Sequence, residues 1–207
     1  MVCRALALLL ILVLPAAAQP AHTSAQRLID AAYAHVGVTR SYDASYRRIA
    51  FPGGDVPLDR GVCSDVVIRA YRGLGIDLQR LVNEDMHRNF AAYPHLWGLA
   101  HPDPNIDHRR VPNLATFFAL HGETLALSAQ ARDYRPGDIV TWRLPGGLAH
   151  IGIVADRRVE DRLLIAHNIG AGARLEDVLF AFPITGHYRY LPSKGADGGE
   201  GRSPVRQ

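Results

Sequence analysis

Apolar residues recur at helical spacing in the first half of the chain and fall into short, turn-bounded runs in the second. Between residues 24 and 36, Leu28, Ile29, Ala32, Tyr33 and Val36 share one face, which predicts an amphipathic helix. Thr23 or Ser24 can cap its start and Gly37 can end it. After Gly61 a second helix is expected, with Val66, Val67, Ala70, Tyr71 and Leu74 inward and Gly73 and Gly75 at its end. A third covers residues 78–92 with Leu78, Leu81, Val82 and Met86 inward, and a short fourth runs over 113–121, stopped by Gly122. From Arg135 the period changes. Strands are expected over 138–142, 150–155, 163–167 and 185–190, parted by Pro136-Gly137 and Pro145-Gly146-Gly147 among other turns. Helices first and strands second make an α+β arrangement with an antiparallel sheet.

Two stretches carry no period. Residues 39–60 hold Pro52-Gly53-Gly54 and Pro57, with Tyr42, Asp43 and Tyr46 among them, and read as an irregular loop. Residues 93–112 hold His95, Trp97, His101, Asp103, Asn105, Asp107, His108, Arg109 and Arg110. Aperiodic loops of that length are more often functional than idle. Residues 193–207 turn to Gly, Ser, Lys and Glu and read as a disordered tail. No internal repeat or linker divides the rest, so residues 19–192 form one expected domain.

The start of the chain reads as a targeting segment, not as structure. Arg4, an apolar run from Ala5 to Leu14, Pro15 and then Ala16-Ala17-Ala18 have the order of a cleaved signal peptide over residues 1–18. No cysteine follows the run to take a lipid anchor, and no later stretch reaches about 18 apolar residues. The expected product is periplasmic or secreted, without stable membrane insertion. The formal charge of +3 falls to +2 once Arg4 is discounted. No Lys/Arg cluster marks a nucleic-acid footprint.

This leader changes the meaning of the cysteines. Of the two, Cys3 leaves with it, and Cys63 stands alone in an oxidising compartment. An unpaired thiol there is a buried small hydrophobe, an intermolecular partner or a nucleophile. Cys63 falls at the expected start of the second helix, where the dipole and free N–H groups favour thiolate, while Asp65 in the same turn opposes it. A nucleophile needs a base that can also protonate a leaving group. His150, in the otherwise apolar run Leu148-Ala149-His150-Ile151-Gly152-Ile153-Val154, fits that need. A third polar group should orient the imidazole. His167 on the next strand is the first candidate and Asn168, facing the other way, the second.

Taken together, Gly137-Asp138-Ile139-Val140, His150-Ile151-Gly152-Ile153-Val154 and the strand ending at His167 resemble the NlpC-type and CHAP-type cysteine peptidases and amidases. The resemblance covers roughly residues 28–190. With Asn105-Ile106-Asp107-His108-Arg109-Arg110 and Asp177-Val178-Leu179-Phe180, the sequence looks like an exported bacterial family of unknown function within that superfamily. It implies a papain-like fold, with a cysteine-bearing helix packed on an antiparallel sheet. It also implies Cys63 as nucleophile, His150 as base and His167 as orienter, without a cofactor or metal. The implied substrate is cell-wall peptidoglycan or its peptide fragments, cut at an amide of the stem. A tyrosine upstream of the cysteine is implied near the oxyanion, with Tyr42 and Tyr46 as candidates. The sequence departs from the NlpC-type motif at Val62, where that motif has aspartate, and at Asp65, where it has glycine.

In the second long loop, Arg109 and Arg110 are candidates to grip carboxylates of a wall peptide, with Asp107, His108 and Asn168 as further substrate-side candidates. His101, Asp103, Asp107 and His108 have ligand atom types, but their spacing matches no strong zinc pattern. The rival to a hydrolase is a non-catalytic wall-binding or interaction module on the same fold.

Overall fold

A computed structural model describes residues 22–191. The expected leader over 1–18 and the expected tail over 193–207 lie outside the described residues. Helix α1 spans Ser24–Tyr33. It starts there because Thr23 is extended and its hydroxyl accepts the Gln26 N–H at 3.1 Å. It stops short of Val36: His35 and Val36 donate three residues back, to Ala32 and Tyr33, and the chain tightens into a turn.

Strands β1 (Ser41–Tyr42) and β2 (Arg60–Gly61) pair in parallel and close the first irregular loop at its base. Helix α2 spans Cys63–Arg72. From its buried side Arg69 reaches into that loop, with an ion pair to Asp55 at 3.0 Å and bonds to the carbonyls of Val56, Pro57 and Arg60. Helix α3 spans Leu78–Asn89, capped by Asp77, and its last expected turn is a separate 3-10 turn over Phe90–Ala92. Helix α4 spans Val111–His121. It begins two residues earlier than the pattern predicts, because Pro112 suits the first helical turn.

Five of the remaining six strands follow as β4 (Ile139–Arg143), β5 (Ala149–Val159), β6 (Arg162–His167), β7 (Arg174–Glu176) and β8 (Ile184–Arg189), and the short β3 (Glu123–Thr124) precedes them. The six form one antiparallel sheet in the order β3-β8-β4-β5-β6-β7. Strand β5 outruns its expected end because its pairing with β6 continues to Val159 opposite Arg162.

The sheet separates two apolar clusters. Ile139, Ile151, Ile153 and Ala166 face the helices and pack with Leu28, Cys63, Val67, Tyr71, Leu114 and Phe118. Val140, Trp142, Val154, Leu163 and Ile165 face the other way, under Tyr134 and Leu179. This is the expected α+β architecture, with the cysteine-bearing helix packed on an antiparallel sheet. Among the described residues no helix is long and apolar enough to cross a membrane.

Candidate active site

Cys63 occupies the first turn of α2 and is 3% exposed. It lies in the floor of an open groove of about 400 Å³ whose walls include Tyr42, Tyr46, Trp97, Arg110 and Ala149. The backbone N–H groups of Ile151 and Ser64 and the hydroxyl of Tyr42 all point at its sulfur and favour thiolate. Burial outweighs them. It pushes the thiol up to about 11, and the Asp65 carboxylate adds to the rise. The low-pKa thiolate expected from a helix start is therefore not the resting state.

Asp65 has a structural use. Its Oδ2 accepts the Val62 N–H at 2.6 Å, which fixes where α2 begins. Both its oxygens take Arg109, Nε and Nη2 each at 2.9 Å. Arg109 also reaches the carbonyls of Asp43 and Ser45, and Ser64 bonds the Arg109 carbonyl at 2.6 Å. The turn over Asp107–Arg109 is thereby locked beneath the cysteine.

His150 is 2% exposed and His167 is 1% exposed. Nε2 of His150 lies 2.8 Å from Nδ1 of His167. Nε2 of His167 lies 2.9 Å from Oε2 of Glu176 on β7, off the line that a hydrogen bond prefers. Burial and the neighbouring ring lower His150 to about 3. Burial lowers His167 as well, against the upward pull of Glu176. Both rings rest neutral.

The structure thus brings the two histidines together at the end of β5 nearest the cysteine, but it does not bond either one to the sulfur. Alternation along β5 explains this. Ile151 faces the helices with Cys63, whereas His150 stands opposite Trp142 in register, its ring centroid 5.7 Å from the indole. The link to the cysteine runs through its neighbours. Ala149 forms part of the groove wall, and Ile151 gives its N–H to the sulfur.

The other candidates divide. Tyr42, half-exposed, has its hydroxyl at the sulfur. Tyr46 lines the groove, but its hydroxyl goes to Asp103 at 3.0 Å. Arg110 lines the groove with its guanidinium 4.0 Å over the Trp97 ring and one nitrogen 2.7 Å from Asp107. Asp107, His108 and Arg109 are buried, and of the three Arg109 lines the groove. Asp107 holds the Asp103 N–H and Arg110, and the Arg109 guanidinium is committed to Asp65. Asn168 is also internal. It ties the end of β6 to the cysteine loop through the Gly61 carbonyl at 2.9 Å. Among the described residues no group of three or more His, Cys, Asp or Glu converges to hold a metal ion. Glu176 was not legible as a site residue, since only the β6–β7 pairing carries it to His167.

A family model described as "Domain of unknown function (DUF1287)" matches residues 29–190. The Escherichia coli (strain K12) protein "Uncharacterized protein YijF" is 56% identical over 165 residues, covering 79% of this chain and 80% of its own. Among solved structures, NlpC1 from Trichomonas vaginalis is similar with a TM-score of 0.46 and 18% identity over 84% of this chain. NlpC2 from the same organism is similar with a TM-score of 0.42 and 18% identity over 86%. The chain spans about half of each of these two, 46% and 49%.

Proposed function

The chain belongs to the DUF1287 family, and from that premise we propose that it is an exported cysteine hydrolase that cleaves an amide bond in peptidoglycan stem peptides. One observation carries the reading. A cysteine on a helix start lies in an open groove, three donors converge on its sulfur, and a buried histidine pair stands one residue away along β5. The aromatic walls of Tyr42, Tyr46 and Trp97 suit an extended peptide, and Arg110 adds a cation for its carboxylates.

In this mechanism thiol and imidazole both start neutral. This reading requires the His150 ring, at the very start of β5, to swing into proton-transfer reach of the sulfur when substrate fills the groove. The Cys63 proton passes to His150 as sulfur attacks the carbonyl carbon. In this reading the N–H groups around the sulfur and the Tyr42 hydroxyl receive the developing oxyanion. His150 then returns the proton to the departing amine as the C–N bond breaks. Water, deprotonated by His150, splits the thioester and regenerates the thiol. Loss of one oxyanion donor typically slows such chemistry by about a hundredfold or more.

The raised thiol, and a sulfur bonded to neither histidine, favour one rival, a wall-binding module that no longer turns over. Purified sacculi incubated with wild type and with Cys63→Ala separate the two. Soluble peptide fragments from wild type alone, identified by mass, are expected. Co-sedimentation of both proteins with intact sacculi and no fragments would establish the rival instead.

A further inference from the structure

We infer that Glu176 is a positioning residue for the histidine pair, selecting the ring tautomers that leave Nδ1 of His150 unprotonated and available as a base. The consequence for catalysis rests on the hydrolase reading, while the arrangement itself does not. Strand β7 pairs with β6 with Glu176 opposite Ile165 and Arg174 opposite His167. This register sets the Glu176 carboxylate 2.9 Å from Nε2 of His167. An ionised carboxylate only accepts, so His167 presents Nε2–H to it. Its Nδ1 then carries a lone pair and has to accept, and the donor at 2.8 Å is Nε2–H of His150. The remaining nitrogen of His150, Nδ1, keeps its lone pair.

The reverse order is chemically open to the two rings by themselves. His167 would donate from Nδ1, His150 would accept at Nε2, and the proton would sit on His150 Nδ1, where it blocks uptake from a thiol. Which ring nitrogen carries the proton is set by the bond the other nitrogen makes. Glu176 is the acidic group that breaks the tie. Arg174, the charged neighbour across from His167, is turned away with its Nε on the Ala171 carbonyl at 3.2 Å.

Imidazole-nitrogen NMR on the full protein tests this without substrate. Wild type is expected to show His167 and His150 both as Nε2–H, by about 10:1 or more, because a lone pair facing the carboxylate at 2.9 Å is repelled and an N–H is attracted. In Glu176→Leu the ratio falls toward about 1:1 at His167, and His150 follows it. Glu176→Gln restores the wild-type tautomers, since its amide oxygen also accepts. An Nδ1–H His167 in wild type overturns the inference, even if Glu176→Leu fails to fold. So does a His150 tautomer that ignores Glu176→Leu. If the tautomers behave as expected and sacculi stay intact, the hydrolase reading alone falls.

Discussion

The sheet holds two buried histidine sites of opposite character. Where β4 pairs with β8, His187 lies 2.8 Å from Asp138 through Nε2 and 3.3 Å from the Ala126 carbonyl through Nδ1. Both ring nitrogens lie within hydrogen-bond distance of protein oxygens, and Tyr134 stacks over the ring at 4.3 Å. Asp138 also takes Arg189 at 2.8 and 3.0 Å and the Arg135 N–H at 2.9 Å. At the β5–β6 end, His150 meets only another neutral ring, and the nearest carboxylate stands one histidine further back. A carboxylate placed directly on a histidine uses the ring up as structure. A carboxylate placed behind a second histidine orders the first and leaves it a lone pair.

The largest test of this contrast is Asp138→Ala. Asp138 is fully buried and serves His187, Arg189 and a backbone N–H together. Its loss strands two cationic or donor side chains, and breaking a buried pair in this way costs about 3–5 kcal/mol. Glu176→Ala is expected to cost less than about 1 kcal/mol, because its side chain is 35% exposed and His167 rests neutral without it. Urea unfolding of both variants checks the pair. Equal losses would mean that the two sites are alike.

That division was only partly legible in the sequence. The helices and the four long strands were legible because a period of hydrophobic residues over five or more positions identifies them. Strands β1, β2, β3 and β7, of two or three residues, carry no period and exist through their partners' registers. Glu176 sits in one of them. Cys63, His150 and His167 stood out as chemical types in apolar surroundings. The Asp65–Arg109 pair did not, because it joins residues 44 positions apart. The expected thiolate failed for a related reason. The helix start is a local feature, whereas the burial that outweighs it comes from packing against β5.

Acid sharpens the comparison by a somewhat smaller amount. An unfolded histidine takes its proton near 6.5, but folded His150 takes one only near 3. Between these values the unfolded chain binds more protons, so stability falls as pH drops, by at most about 1.4 kcal/mol per unit. In His150→Gln this contribution is gone. Between pH 6.5 and roughly pH 4 the variant should lose about 3 kcal/mol less than wild type. Buried His108, also lowered to about 3, keeps part of the acid slope in both proteins. Parallel unfolding curves over that window would mean that His150 is charged in the fold, and the two sites would then no longer differ in kind.

The smallest expected effect separates the two groove tyrosines. Tyr42 and Tyr46 line the same wall, but only Tyr42 turns its hydroxyl to the sulfur, while Tyr46 bonds Asp103. A hydroxyl donated to sulfur favours thiolate over thiol, and one such bond has a net worth of about 0.5–1.5 kcal/mol. Tyr42→Phe should therefore slow iodoacetamide modification of Cys63 at fixed pH by about two- to tenfold, with stability changed by no more than about 0.5 kcal/mol. Tyr46→Phe should leave the rate within about twofold, because the bond it removes is to Asp103 and not to the sulfur. A greater slowing in Tyr46→Phe would move the sulfur's hydroxyl partner to the other tyrosine. Faster modification in Tyr42→Phe would mean that the ring acts as a lid over the thiol and that its hydroxyl contributes little to the sulfur's charge.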